Sequence, residues 1–318
     1  MQIKKIQISV IICSYNRANY LDKAINSLLD QSINRDLFEI IIIDNNSTDN
    51  TKKLVKSYQK KIKLPKIILT SEKRQGLDSA RNRGIKYAHG QYLAFLDDDS
   101  LPDKNWLKCT LFYFENIKPK PMAVGGVILP VYESHKPFWF SDKYETDYKG
   151  SKERKLKKSE AFSGSNMIFQ KKILKKYGCF DSSVGMKGKN LSVGEETAIF
   201  GRIWRGEKRS DISFYYSPKL IVRHMVSPYK TTVSYRLKRS FAGGQSLYMR
   251  NVHLSAPEKF YMLIKYFLII VFSPLIFLWY ALFSPNIKAA VVESFSPFFY
   301  AGGFIFAFFG LFIYFQQR

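Results

Sequence analysis

Ile6-Gln7-Ile8-Ser9-Val10-Ile11-Ile12-Cys13-Ser14 is almost unbroken in β-branched and other apolar residues. A strand with one wet face alternates apolar and polar side chains, whereas this run reads as a strand buried on both faces, as in a parallel sheet. Runs of the same kind return at Phe38 to Asp44, Lys66 to Thr70 and Tyr92 to Leu96. Between them, Tyr20 to Gln31, Asp49 to Lys60 and Leu77 to Ala88 carry apolar residues at helical spacing. Strands alternating with helices in this way imply an α/β fold with a doubly wound, mostly parallel sheet.

Ser47, Thr48 and Asp49 are N-cap residue types ahead of the second helix, and Gly178 suits a helix end. Between Tyr132 and Ser159 the periodicity gives way to aromatic, charged and turn residues, including Lys152 to Lys158, so a surface excursion is expected there. After His224, Val233, Leu237 and Phe241 recur at i, i+4 and i+8 with Arg236, Lys238, Arg239 and Arg250 around them, the pattern of a basic amphipathic helix.

Phe260 to Phe283 and Phe295 to Phe315 are strongly apolar, with Lys265 the only charge in the two segments. At about 1.5 Å per residue each can cross a hydrocarbon core of about 30 Å, and neither shows the polar face of a soluble core helix. Two membrane helices are therefore expected, with Pro274 and Pro297 leaving room for kinks or for a re-entrant hairpin. The sequence suggests three stretches: a catalytic domain over 1–229, a basic membrane-proximal helix over 230–259 and an anchor over 260–318.

The 318 residues carry a formal net charge of +24, and beyond Phe260 only Lys265, Lys288, Glu293 and Arg318 are charged. Such an excess attracts phosphate in a nucleotide or in anionic lipid, and by the positive-inside rule it places the domain on the cytoplasmic side of a multi-pass protein in the cell membrane. No nucleic-acid motif accompanies the charge, so nucleic acid is not an expected partner. Cys13, Cys109 and Cys179 form no CxxC pair and no even set, which argues against a disulfide framework or a structural zinc site. Met1 to Lys5 leads straight into the first strand, and no signal peptide is read there.

Phe95-Leu96-Asp97-Asp98-Asp99 puts three carboxylates at the C-terminal end of an apolar strand, where α/β sheets bind ligands. Asp97 and Asp99 are two apart, so an extended backbone aims them the same way, and paired hard oxygens suit Mg2+ or Mn2+ carrying a diphosphate. Standing alone, such a triplet also fits a solvated acidic turn.

Three further stretches accompany it: Ser9-Val10-Ile11-Ile12-Cys13-Ser14-Tyr15-Asn16-Arg17, Ile42-Ile43-Asp44-Asn45-Asn46-Ser47-Thr48-Asp49, and Gly76-Leu77-Asp78-Ser79-Ala80-Arg81-Asn82-Arg83-Gly84. In order and spacing the four resemble family 2 glycosyltransferases, and the likeness continues through Gly164-Ser165-Asn166-Met167, Gly178-Cys179-Phe180-Asp181, Gly194-Glu195-Glu196-Thr197 and Val222-Arg223-His224. The resemblance covers roughly Ile6 to Met249. It implies a GT-A fold, an inverting mechanism and a UDP-, GDP- or dTDP-sugar donor. With the apolar C-terminus it implies a lipid-linked or membrane-proximal glycan acceptor.

By this resemblance Asp44 holds the nucleotide base, with Ser14, Tyr15 and Arg17 around the nucleoside, and Arg81 faces the diphosphate. Asp99 is the first metal ligand, Asp97 the second or a ribose contact, Asp98 a nucleotide-sugar residue, and His224 an additional ligand. Glu196 stands where the family carries its catalytic base. The family shows Glu-Asp where this chain has Glu195-Glu196, and the extra methylene leaves Glu195 an alternative. The loop Gly185 to Gly194 ahead of that pair, with the Tyr132 to Ser159 excursion, is expected to select the acceptor. Two other functions compete: a catalytically silent membrane scaffold, against which the intact acidic sets speak, and a nucleotidyltransferase, for which a glycine-rich phosphate loop is missing.

Overall fold

The computed structural model describes residues 5–316 apart from 159, 182–190, 192–193, 209–210, 252–253 and 285, and of residue 250 the backbone only. The chain forms two compact units: 1–131, 145–182 and 195–225 in one, and 132–144, 183–194 and 226–318 in the other. Both are discontinuous, so the 132–144 part of the expected excursion groups with the C-terminal helices. The Gly185 to Gly194 loop, except Leu191 and Gly194, lies outside the described residues.

The first unit opens with β1 (Ile8–Ser14), α1 (Ala18–Leu29), β2 (Phe38–Asp44), α2 (Thr51–Lys61), β3 (Lys66–Ser71), α3 (Leu77–Tyr87) and β4 (Tyr92–Asp97). Strands β3, β2, β1 and β4 lie side by side and parallel, with Ile11 opposite Ile41 and Phe95. Along β1, Ile8, Val10 and Ile12 enter one apolar cluster and Ile11 enters the other, on opposite faces of the sheet. That is the two-sided burial the unbroken apolar run demanded, worth about 1.5–3 kcal/mol for each fully buried large side chain. Helix α2 begins at Thr51, two residues beyond Asp49, whose Oδ1 accepts from the Thr51 backbone N–H at 3.0 Å.

The chain continues through β5 (Ser100–Pro102), α4 (Trp106–Asn116), β6 (Ala123–Tyr132), β7 (Arg154–Lys155), β8 (Met167–Gln170), α5 (Lys171–Tyr177), α6 (Glu195–Gly206) and β9 (Phe214–Val226). These strands extend the sheet in the order β4-β8-β6-β9-β5, with β7 also on β9, and β8 runs antiparallel to both β4 and β6. The sheet is thus mixed, its parallel half the one legible in sequence. Asn166 locks the junction: its Nδ2 donates to Val127 O and Leu220 O, and its Oδ1 accepts from Trp106 Nε1 at 2.9 Å. Helix α5 ends at Gly178, whose φ of +81° is the left-handed turn that glycine permits.

The second unit carries α7 (Val233–Arg250), α8 (Ala256–Phe283) and α9 (Ile287–Phe308). Helices α7 and α9 touch backbone to backbone: a Cβ on Gly244 would lie 1.8 Å from Tyr300 O, and one on Gly303 2.0 Å from Phe241 O. Phe241 to Ser246 are all buried, and so is Arg236, which the sequence placed among outward-facing charges. Its guanidinium lies over the rings of Phe140, Tyr235 and Tyr144, and its Nη1 donates to Tyr144 O at 3.2 Å.

Both α8 and α9 are long and apolar enough to cross a membrane. Phe267, Leu268, Val271, Phe272 and Leu275 of α8 are exposed. The second apolar segment starts and stops earlier than its composition suggests. It ends in a Schellman turn: Gly310, at φ +76°, donates to Ala307 O, and Leu311 donates to Phe306 O at 2.8 Å, so Leu311 to Phe315 leave the helix.

Candidate functional site

The parallel register sets the frame of the site. Ser14 pairs with Asp44 and Cys13 with Asp97, so both acidic strand ends flank the end of β1 at the C-terminal edge of the sheet. Asparagines fasten the loops there. Asn16, at φ +54°, accepts from Thr48 N at 2.7 Å and ties the turn after β1 to the turn after β2. Asn45 donates to Glu72 O and Arg74 O and accepts from Gly76 N at 2.8 Å, which fixes the entry to α3.

The three aspartates of the DDD stretch have different surroundings. Asp98 turns inward, accepting from Ser14 Oγ at 2.8 Å and from Arg17 Nη1 at 3.2 Å. Burial raises its pKa to about 6, with Arg17 pulling it down and Asp99 pushing it up. Arg17 also donates to Asp99 Oδ2 at 2.8 Å, so its guanidinium is engaged by two carboxylates.

Asp97, Asp99 and His224 each offer one ligand atom, and these atoms lie within 4.8 Å of one another. Strand β9 delivers the histidine: His224 is opposite Ser100 in the β5–β9 ladder, and its Nε2 is 3.1 Å from Asp99 Oδ1. Its Nδ1 faces Glu145 Oε2 at 3.7 Å, so Nε2 is the ring nitrogen turned toward the aspartates. Two hard carboxylates and an imidazole suit a divalent ion such as Mn2+ or Mg2+.

Beside this cluster, Arg81 of α3 is almost fully buried. Its Nη1 donates to Glu196 Oε1 at 3.2 Å, its Nη2 stands 3.6 Å from Asp97 Oδ1, and the guanidinium lies over the Phe180 ring at 5.2 Å. Burial alone would lower its pKa, but Glu196, Asp97, Asp78 and Glu195 outweigh that and raise it. Both side-chain ends close over Gly164, where a Cβ would be 2.1 Å from Arg81 Nη2 and 2.2 Å from Glu196 Oε1 and would displace them. Asp97 keeps about a third of its side-chain surface open, at 34%; even so, its partial enclosure is the main reason its pKa rises, with Arg81 opposing.

The structure therefore joins Ser14, Arg17, Arg81, Asp97, Asp98, Asp99, Glu196 and His224 in one network. Asp44 meets that network through the backbone, Asn45 N donating to Ser14 O at 2.9 Å. Its own carboxylate accepts from Ser47 N at 3.1 Å and pairs with Lys52 at 3.3 Å. Tyr15 is half-buried just past β1, and Glu195 is buried at the start of α6. The residues that sequence reasoning passed over are Glu145, Asp78, Gly164 as a steric requirement, and Phe180 as the platform under Arg81. Among these only Glu145 stood outside the recognisable motifs.

Residues 9–178 match the family model described as glycosyl transferase family 2. A glucosyl-dolichyl phosphate glucuronosyltransferase of Haloferax volcanii is 23% identical over 250 residues, 76% of either chain. The dolichyl N-acetyl-alpha-D-glucosaminyl phosphate 3-beta-D-2,3-diacetamido-2,3-dideoxy-beta-D-glucuronosyltransferase of Methanococcus voltae is 34% identical over 131 residues, 40% of either chain. Among solved structures, the mannosyltransferase PcManGT of Pyrobaculum calidifontis, in complex with GDP-Man and Mn2+, aligns with a TM-score of 0.63 at 16% identity over 97% of this chain and 90% of its own.

Proposed function

As this chain belongs to glycosyltransferase family 2, with the GT-A fold, we propose that it moves a sugar from a nucleoside-diphosphate donor to a lipid-linked glycan acceptor, with inversion. The observation that carries the reading is the meeting of two devices at one sheet edge. Asp97, Asp99 and His224 form a cation cradle, and Arg81 and Glu196 form a cation–carboxylate pair beside it. The names of the relatives, which act on dolichyl phosphate-linked sugars, and the two apolar helices α8 and α9 support the choice of acceptor.

Asp99, Asp97 and His224 would hold Mn2+ or Mg2+, which when bound neutralises charge on the leaving diphosphate. Asp44 receives the base of the nucleotide, Tyr15 and Ser14 line the nucleoside, and Arg17 exchanges its carboxylate partners for the donor's phosphates. Arg81 steers the diphosphate from beneath. Glu196 takes the proton of the acceptor hydroxyl, that oxygen forms its bond to the anomeric carbon, and the bond from that carbon to the phosphate oxygen breaks, so the nucleoside diphosphate departs with the electron pair. Glu196 rather than Glu195 is the base because it is the more accessible of the two. Helices α8 and α9 anchor the chain as two crossings of the cell membrane, with the catalytic unit and its basic surface on the cytoplasmic face against anionic lipid.

Purified protein in detergent, offered a panel of UDP-, GDP- and dTDP-sugars with Mn2+ or Mg2+, is expected to release nucleoside diphosphate from one of them, and only with metal. Asp99→Asn should abolish that turnover and weaken Mn2+ binding, measured by calorimetry, by at least tenfold. Full metal-dependent turnover by Asp99→Asn with every active donor would overturn the site.

A further inference from the structure

One buried carboxylate has no place in the scheme above. Asp78, in the first turn of α3, has only 3% of its side chain exposed, and among the described residues neither of its oxygens has a hydrogen-bond partner. Its Oδ1 is 3.9 Å from Arg81 Nη1, the same nitrogen that donates to Glu196 at 3.2 Å. One guanidinium nitrogen is thus shared by two carboxyl groups at unequal distances. The charged and titratable groups that face Asp78 are Arg81 on its own helix, Glu195 and Glu196 from α6, Asp181 beyond α5, and Cys13 of β1.

The chemistry of the proposed base makes this sharing consequential, and the inference rests on that reading. A carboxylate paired with a buried guanidinium is a weak base, because protonating it forfeits the ion pair. A second carboxylate within reach of the same nitrogen removes that penalty, since the cation then keeps a counter-charge after the first is neutralised. We infer that Asp78 is a positioning residue for transfer, acting through Arg81: its ionised carboxylate takes up the guanidinium as Glu196 accepts the proton of the acceptor hydroxyl. The proton on Glu196 passes to water before the next turnover, and Arg81 swings back.

Burial, reinforced by Glu195, Glu196 and Asp181 and opposed by Arg81, raises the pKa of Asp78 to about 8. With metal, donor and acceptor saturating, wild-type kcat should therefore rise between pH 7 and 9. Asp78→Asn should lower kcat at pH 9 by about 10-fold or more, abolish that rise, and leave donor KM within about twofold, a split that loss of packing alone would not produce. The inference is overturned if Asp78→Asn keeps wild-type kcat at pH 9, or if wild-type kcat is flat from pH 7 to 9. The second measurement decides the matter even where the variant does not fold. Glu196→Gln separates the two claims: a fully active Glu196→Gln sinks the base assignment, whereas an inactive Glu196→Gln beside an unaltered Asp78→Asn sinks only the role of Asp78.

Discussion

Gly164→Ala puts the site's geometry at risk with one methyl group. The new Cβ would stand 2.1 Å from Arg81 Nη2 and 2.2 Å from Glu196 Oε1, where ordinary contact begins at 3.4 Å. Both atoms must therefore retreat by about 1 Å, a displacement that can cost roughly 10²-fold when it misaligns reacting groups. The contact between them at 3.2 Å would then be displaced. A loss of roughly 10²-fold in kcat is therefore expected. The assay is sugar transfer at saturating donor with Mn2+, alongside Mn2+ affinity, which should stay within a fewfold because Asp97, Asp99 and His224 are left in place. Gly201→Ala is the control: it lies in the same helix as Glu196, its Cβ meets only Arg205 Nη1 at 3.4 Å, and it should add roughly 0.5–1 kcal/mol of stability. A Gly164→Ala enzyme with kcat within threefold of wild type would refute the claim that this ion pair serves transfer.

Two further outcomes are expected. Asp78 has a native pKa raised to about 8 from an ordinary 3.8, so between those values the native state holds a proton that the unfolded chain has released; its contribution to stability is present below about pH 4 and lost as pH rises through 8. The melting temperature of the metal-free protein should therefore fall from pH 5 to 8 more steeply in wild type than in Asp78→Asn, and equal slopes would contradict the assignment. Gly303→Val forces a side chain into the backbone contact with Phe241 O at 2.0 Å, so it should lower detergent-solubilised melting by several degrees, whereas Gly302→Val, whose Cβ would lie 3.8 Å from the Phe241 ring, should not.

Much of the acidic sheet edge was legible because local chemistry marks it. Asp97, Asp98 and Asp99 end a strand whose apolar run announces itself, and the strand's position in a parallel sheet decides which end carries the ligands. His224 needed more: it is 125 positions from Asp99 in the chain, and it was found by likeness to a family, since a lone histidine gives no local signal of its ladder partner. Glu145 lay hidden in an excursion without periodicity, where no pattern ties a carboxylate to an imidazole on a distant strand.

The sequence by itself determined the parallel strands β1 to β4 and the acidic strand end, because two-sided burial and strand termini are written in neighbouring residues. It also determined the apolar character of α8 and α9. Only the tertiary structure decided that Arg81 and Glu196, 115 residues apart, share a hydrogen bond over Gly164, that Asp78 comes within 3.9 Å of the same nitrogen, and that Arg236 is wrapped in aromatic rings rather than exposed. These depend on which surfaces meet once the sheet is complete, and the energy of a buried charge is set by whatever folding brings beside it, which no local pattern of residues encodes.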